Sequence, residues 1–111
     1  MMVLQSDIQV LVNEIVEGYQ PEKIYLFGSY ANGTATDDSD IDLFIVKDTT
    51  ERKKDRIEQV LNIIKTYPDI GVDMIIYTPK ELEYVKSDVV NIANEAIKTG
   101  KLLYERVREM V

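Results

Sequence analysis

Hydrophobic residues in this chain follow two spacings, one typical of strands and the other of helices. Three short runs rich in β-branched and aromatic residues predict strands at Lys23–Phe27, Ile41–Val46 and Val72–Tyr77. Apolar residues at helical spacing predict amphipathic helices before the first strand, between the second and third strands, and after the third. This order predicts an α/β fold in which a small mixed sheet is flanked by helices.

Capping signals place the start of the first two long helices. Ser6 with Gln9 resembles a capping box for the first helix, and Thr49 or Thr50 is expected to cap the second. Four basic residues of the second helix are expected to form a solvated face rather than a phosphate site. They are Arg52, Lys53, Lys54 and Arg56.

Two further helices are predicted after the third strand. The first begins directly at Thr78-Pro79-Lys80-Glu81, which combines an N-cap, a proline at the first helical position and a capping-box glutamate. The second is expected to start at Ser87 or Asp88 and to stop at Gly100. Its packing stripe is predicted to consist of Val89, Ile92, Ala93, Ala96 and Ile97.

Length and composition fit one small domain spanning residues 1–111. The chain has 45% hydrophobic residues and contains no cysteine and no histidine. These absences exclude disulfides, thiolate catalysis, cysteine zinc sites and the common histidine-dependent mechanisms, so carboxylate chemistry remains. The chain also has no signal peptide pattern and no apolar segment of membrane-spanning length, so a cytoplasmic location is expected.

The charge balance restricts the class of partner. Thirteen basic and twenty acidic residues give a net charge of −7. Non-specific nucleic-acid binding depends on neutralising phosphates, so this charge disfavours it. We expect a protein partner or a second copy of this chain, and no nucleic acid or membrane.

Candidate chemistry begins with two acids at the start of the second predicted strand. Residues two apart on a strand share a face, so Asp40 and Asp42 project together while Ile41, Leu43 and Ile45 line the opposite face. Two unit charges about 5 Å apart at an effective dielectric of about 20 repel by roughly 3 kcal/mol. A hard divalent cation with oxygen ligands, most plausibly Mg²⁺, relieves this repulsion.

A third acid fits the same site. Val72–Tyr77 is the only other apolar run of strand length that carries an acid inside it, at Asp73. A neighbouring strand could bring Asp73 against Asp40 and Asp42. Three acids can hold two metal ions, the arrangement that stabilises the attacking and leaving oxygens in phosphoryl or nucleotidyl transfer.

A glycine-serine turn supplies the other half of the predicted site. The first strand ends at Gly28-Ser29, and a glycine there lets a phosphate approach the backbone. A short helix opening at Ser29 would direct its free N–H groups and the serine hydroxyl at an anion. Each fragment also has an ordinary structural interpretation, because Asp-x-Asp is often a turn and Asn32-Gly33 could form a two-residue hairpin loop.

Taken together, these residues resemble a known family. Phe27-Gly28-Ser29, a ten-residue spacer that ends in Ser39, and Asp40-Ile41-Asp42-Leu43 are similar to the signature of the DNA polymerase beta-type nucleotidyltransferase superfamily. The nearest likeness is to its minimal, single-domain branch. The resemblance covers nearly the whole chain and includes the closing run Gly100-Lys101-Leu102-Leu103-Tyr104-Glu105.

The resemblance implies transfer of AMP from ATP to a hydroxyl acceptor, with release of pyrophosphate. Asp40 and Asp42 would hold two Mg²⁺ ions and the triphosphate. Asp73 would be the third ligand and would help to deprotonate the acceptor. The nucleotide would be contacted by Gly28, Ser29 and Ser39.

The resemblance also suggests a partner. Minimal proteins of this kind look like antitoxins of two-gene pairs, which transfer AMP to a tyrosine of an all-helical HEPN ribonuclease toxin. One departure is that many minimal members carry Ala-Arg-Gly where this chain has Ala31-Asn32-Gly33, and Asn32 offers a phosphate no charge. Two alternatives stay open: an antitoxin that acts by contact alone, and a transferase that modifies a small molecule.

Overall fold

The structure, a computed structural model, describes residues 5–65 and 71–107. Helices and strands alternate along most of these residues, and none of the helices is long and apolar enough to cross a membrane. Their order is α1 (Gln5–Tyr19), β1 (Lys23–Phe27), α2 (Ser29–Asn32), β2 (Ile41–Val46), α3 (Lys53–Ile63), β3 (Val72–Tyr77), α4 (Pro79–Val85), α5 (Ile92–Thr99) and β4 (Lys101–Glu105).

The strands form one mixed sheet in the order β3-β2-β1-β4. β2 pairs antiparallel with β1 and parallel with β3, while β4 pairs antiparallel with the other side of β1. The parallel pairing requires a crossover, which α3 provides. As a result, the end of β1 and the starts of β2 and β3 lie at the same edge of the sheet.

Both faces of the sheet are covered, and β2, one of the two central strands, shows this most clearly. Ile41, Leu43 and Ile45 pack into a core with residues of α1 and α3. On the other face, Phe44 and Val46 pack against Ala93 and Ala96 of α5. β2 is therefore apolar on both sides, and within it only the second residue, Asp42, is not fully buried.

The predicted α/β class and the bounds of the first three strands are confirmed. The fourth strand, β4, was not predicted. Charged residues begin and end it, and its side chains are exposed or half-buried, so it lacks the apolar alternation of a strand. Lys101–Glu105 becomes a strand because β1 offers an open edge beside it.

Several predicted helix starts are wrong. Ser6 lies inside α1, which already includes Gln5. Neither Thr49 nor Thr50 caps α3, whose N-cap is Arg52 without a side-chain hydrogen bond. Thr49 instead accepts a hydrogen bond from the Glu51 N–H at 3.1 Å, which closes a local turn before the helix.

The predictions for the last two helices have mixed outcomes. The capping box at Thr78 and Glu81 is present as predicted. α5 starts after Asn91, whose side chain accepts from the Ala93 N–H at 2.8 Å, and not at Ser87 or Asp88. In the predicted packing stripe only the two alanines are buried, and the exposed members are Val89, Ile92 and Ile97.

The prediction that Arg56 lies on a solvated face is wrong, because Arg56 is buried between α3, β3 and α4. Its guanidinium donates to the Ile76 carbonyl at 3.0 Å and to both carboxylate oxygens of Glu81, at 2.7 and 3.2 Å. Its Nε donates to the Glu51 carbonyl at 2.7 Å. The same Glu81 carboxylate accepts from the Thr78 N–H, so one ion pair between the buried Arg56 and the half-buried Glu81 connects three elements.

We expect Glu81→Gln to lower the free energy of unfolding by about 2 kcal/mol at neutral pH, because a charge-assisted bidentate pair becomes neutral. Glutamine can still complete the capping box. Hydrogen bonds from Arg56 are the main cause that lowers the pKa of Glu81. The stabilisation is therefore present above the ordinary glutamate pKa of about 4.3 and is lost as the pH falls through the lower, folded-state value.

Urea unfolding at neutral pH and below pH 4 measures this difference. Glu83→Gln is the matched control, because Glu83 pairs with Lys86 at an exposed position and should contribute less than about 0.5 kcal/mol. Equal unfolding midpoints for the two variants at neutral pH would contradict the stabilising role of the Arg56–Glu81 pair.

Candidate functional site

The candidate site is built where β1 ends and where β2 and β3 begin. Phe27, the last residue of β1, lies opposite Asp42, and Asp42 lies beside Asp73 in the parallel register of β2 and β3. Residues that are neighbours in register project to the same face of a sheet. The topology therefore places the Asp42 and Asp73 carboxylates side by side.

Gly28 lies directly under the Asp42 carboxylate. Its backbone has φ 74° and ψ −154°, a region that essentially only glycine adopts. A Cβ built on Gly28 would overlap Oδ2 of Asp42. The glycine is thus needed both for the backbone turn and for the space in which the carboxylate sits.

The segment after Gly28 is a short helix, not a hairpin. The N–H groups of Ala31 and Asn32 both donate to the Gly28 carbonyl at 3.1 Å, and α2 begins at Ser29. Gly33 ends α2 in the left-handed conformation. The hairpin alternative for Asn32-Gly33 is therefore wrong, and Ser29 stands at the first position of the helix as predicted.

Asp40 lies at the same edge, just before β2. A Cβ built on Gly71 would lie only 2.5 Å from Oδ1 of Asp40, and the Ile41 N–H donates to the Gly71 carbonyl at 2.9 Å. Gly71 precedes β3 by one residue, so it leaves room for the Asp40 side chain next to the start of the Asp73 strand. Gly71 was not predicted as a site residue, although its position directly before an acid-bearing strand was a usable signal.

The electrostatics of the site centre on Asp42. Burial is the main cause that raises the pKa of this carboxyl, and the negative charges of Asp73 and then Asp40 raise it further. The ionised form of Asp42 is thus disfavoured in the metal-free protein. A cation at this edge would favour the ionised form and remove the repulsion.

The oxygen donors of the site fit a hard divalent cation. Within residues 5–65 and 71–107, no three acidic side chains converge into a ready-made metal-binding group. Mg²⁺ typically uses one or two carboxylates together with substrate phosphates and water, rather than a cage made only of protein. The crowded pair of Asp42 and Asp73, with Asp40 beside it, matches that mode of binding.

Two residues that the sequence analysis considered near the site, Asn32 at the end of α2 and Ser39 in the following loop, have local partners. The Ser39 hydroxyl accepts from the Thr36 N–H at 2.8 Å. The Asn32 side-chain oxygen accepts from the N–H and the hydroxyl of Thr34, at 3.1 and 2.5 Å. Both side chains stabilise the loop between α2 and β2, so contact of Ser39 with the nucleotide stays a prediction.

Fold and motif together define the class of protein. The family described as "Polymerase beta, Nucleotidyltransferase" matches residues 10–109, and the chain belongs to this family of nucleotidyltransferases. Among curated proteins, a candidate protein adenylyltransferase of Methanocaldococcus jannaschii is 36% identical over 88 residues. That match covers 75% of this chain and only 58% of the length of the relative.

Two solved structures share the fold. A candidate nucleotidyltransferase from Sulfolobus solfataricus has a TM-score of 0.62 and 26% identity, over 91% of this chain and 79% of the other. A structure described as a toxin-antitoxin with AMP-PNP has a TM-score of 0.65 and 23% identity, over 93% of this chain and 75% of the other. At the latter identity the likeness concerns the fold alone.

Proposed function

We propose that this protein transfers AMP from ATP to a hydroxyl group of a protein, in a reaction that requires Mg²⁺. The observation that carries the proposal is the register of Asp42 and Asp73 on adjacent strands, with Gly28 beneath Asp42 at the same sheet edge. Family membership supports the reaction class.

Each acid has a role in this proposal. Asp40 and Asp42 would hold Mg²⁺, and Asp73 would be the third ligand and would accept the proton of the attacking hydroxyl. When bound, the two ions neutralise charge that develops on the phosphate oxygens. Gly28 gives the outer phosphates access to the backbone, while Ser29 and Ser39 supply hydroxyls.

The acceptor we propose is a tyrosine of a HEPN-type toxin, which makes this chain the antitoxin. The relative from Methanocaldococcus jannaschii, a candidate protein adenylyltransferase, supports a protein acceptor. The fold neighbour solved as a toxin-antitoxin with AMP-PNP shows that this fold occurs in such a complex. Asp40 and Asp73 are exposed, so a large acceptor can reach the carboxylates from solvent.

The wider assignments follow from the same proposal. We place the reaction in the cytoplasm, where ATP and a toxin partner would meet, and treat residues 1–111 as one catalytic domain. The net charge of −7 favours a protein rather than a nucleic acid as partner. A second copy of the chain is a further partner that the small size of the domain allows.

Calorimetric titration of ATP, with and without Mg²⁺, tests the first part of the proposal, because it needs no acceptor. We expect binding that depends on Mg²⁺. Co-expression with the toxin and intact-mass analysis then tests the second part, and we expect an AMP-sized mass gain on a toxin tyrosine. A folded protein that binds no ATP in either condition, alone or with its partner, would refute the transferase.

One alternative has an observation in its favour. Asn32 carries no charge and its side chain is engaged with Thr34, so α2 offers no cation to a triphosphate at this position. This favours an antitoxin that acts by contact alone. Protection of cells from the toxin separates the two: a contact antitoxin should keep its protective effect in Asp42→Asn, and a transferase should lose it.

A small-molecule acceptor has less support. A cavity of about 440 Å³ lies among Lys23, Tyr25 and Val46, with α4 and α5 above it. Lys23 and Val46 stand opposite each other at the far ends of β1 and β2 from Phe27 and Asp42. This cavity therefore lies away from the acids and does not offer an acceptor pocket for them.

A further inference from the structure

Tyr84, near the end of α4, is set apart from the other tyrosines in the described ranges. Its side chain is 89% exposed, while each of the others is buried or half-buried. The others are Tyr19, Tyr25, Tyr30, Tyr77 and Tyr104. Among the described residues, Tyr84 is therefore the tyrosine whose phenol is most accessible to the site of another molecule.

The surroundings of Tyr84 suit insertion into a second protein surface. Val89 and Val90, in the turn that follows α4, are each 87% exposed. Contiguous exposed apolar patches mark interaction surfaces, and Tyr84, Val89 and Val90 are exposed apolar residues near one another in the chain.

Lys80 adds charge complementarity. It lies four residues before Tyr84 on α4, is exposed, and therefore shares a helix face with the phenol. The candidate site carries Asp40, Asp42 and Asp73 and must also accommodate a triphosphate. The face of α4 that presents the Tyr84 hydroxyl beside the positive charge of Lys80 is therefore complementary in charge to the acidic, phosphate-binding site that we propose.

We propose that Tyr84 of one copy of this chain is an acceptor for AMP transferred by the site of a second copy. The inference rests on the proposed function and specifies an acceptor for it. Tyr84 points into solvent, whereas Asp42 and Asp73 lie on the sheet, so the transfer takes place between two copies. Lys80 of the acceptor copy would lie near the phosphates of the ATP.

The proposed step balances as a simple displacement. The phenolic oxygen of Tyr84 attacks the α-phosphorus of ATP and forms a new P–O bond. The bond between the α-phosphorus and the bridging oxygen of pyrophosphate breaks, and pyrophosphate leaves with the electron pair. The phenolic proton passes to the Asp73 carboxylate and then to water. The product is a phosphodiester between Tyr84 and AMP.

Two variants separate the copy that donates AMP from the copy that accepts it. Asp42→Asn should accept AMP but not transfer it, and Tyr84→Phe should transfer AMP but not accept it. Each variant is incubated alone with Mg²⁺ and ATP labelled at the α-phosphate, and then both are mixed. We expect no label on either variant alone and label on Tyr84 of the Asp42→Asn copy in the mixture, identified by tandem mass spectrometry.

The charge argument has its own test within the same assay. Lys80→Ala in the acceptor copy should slow labelling several-fold, while Lys86→Ala, which removes a lysine paired with Glu83, should not. The initial rate per molecule of wild-type protein should rise with protein concentration, since two copies must meet.

The outcomes distinguish this inference from the proposed function. Label that persists in Tyr84→Phe overturns the role of Tyr84 but leaves AMP transfer intact. A wild-type protein that binds Mg²⁺ and ATP yet takes no label overturns transfer between copies, and labelling of a co-expressed toxin then decides the proposed function separately. Absence of ATP binding, alone and with the toxin, overturns both.

Discussion

Asp42→Asn should abolish AMP transfer and at the same time make the metal-free protein more stable. We expect the rate to fall by at least about 100-fold, because a charged group that positions phosphates is lost from a prearranged site. Stability should rise because Asp42 is partly buried beside Asp73 and Asp40, and the neutral amide removes the repulsion between these charges.

The gain in stability should depend on pH in a defined direction. Burial raises the pKa of Asp42 in the folded protein above the ordinary aspartate value of about 3.9. A carboxyl group of this kind does not lower the free energy of unfolding at pH values below its unfolded pKa. It lowers that free energy as the pH rises through its higher, folded-state pKa. Asp42→Asn should therefore raise the melting temperature at neutral pH and lose that advantage below about pH 4.

Thermal melts of the wild type and of Asp42→Asn from pH 3 to 8, with and without Mg²⁺, measure this pH-dependent difference in stability. Mg²⁺ should stabilise the wild type and have little effect on Asp42→Asn. Asp38→Asn, at an exposed position in the loop before β2, serves as the charge-matched control and should change neither property appreciably. A variant Asp42→Asn that melts below the wild type at neutral pH would contradict the crowding of charges at this edge.

Gly28→Ala should damage both the fold and the site. A residue with a Cβ at φ 74° and ψ −154° costs about 1 to 3 kcal/mol. The new methyl group would also overlap the Asp42 carboxylate and displace it. Because a displacement of about 1 Å can cost roughly 100-fold in rate, we expect the variant to lose activity well beyond its loss of stability.

Gly33→Ala is the matched control for this prediction. Gly33 also has a positive φ, 82°, but nothing lies within 4 Å of a Cβ built there. It should cost about 1 to 2 kcal/mol through backbone strain alone and retain transfer. Urea unfolding and the AMP-transfer assay, run at a temperature where both variants are folded, compare the two. Similar losses of activity would show that Gly28 acts only through the backbone.

The sequence predicted the elements that depend on local patterns. The first three strands in the chain are apolar enough on their own to be recognised, and Thr78 and Glu81 carry a complete local capping signal. Arg56 was predicted wrongly because its burial depends on Glu81, which lies 25 residues further along the chain. A periodic pattern within one helix contains no information about such a distant partner.

The same limit applies to the site. The acids and the glycine were recognised by type and spacing, but the alignment of Asp42 with Asp73 is a property of the parallel register between β2 and β3. The position of Asp42 over Gly28 likewise depends on the pairing of β1 with β2. Ile92 and Ile97 were expected to pack and are exposed, because α5 contacts the sheet mainly through its small alanines.

The crossover through α3 has a consequence for how the protein is made. β1 and β2 lie closer together in the chain than β2 and β3, which are separated by α3, and pairings between segments distant in sequence form slowly. We therefore expect the β2–β3 pairing, which brings Asp73 beside Asp42, to form after the pairing of β1 with β2. A chain in which β3 has not yet paired would lack the proposed metal site, so under the proposed function the binding of Mg²⁺ and ATP would report that β2 and β3 have paired.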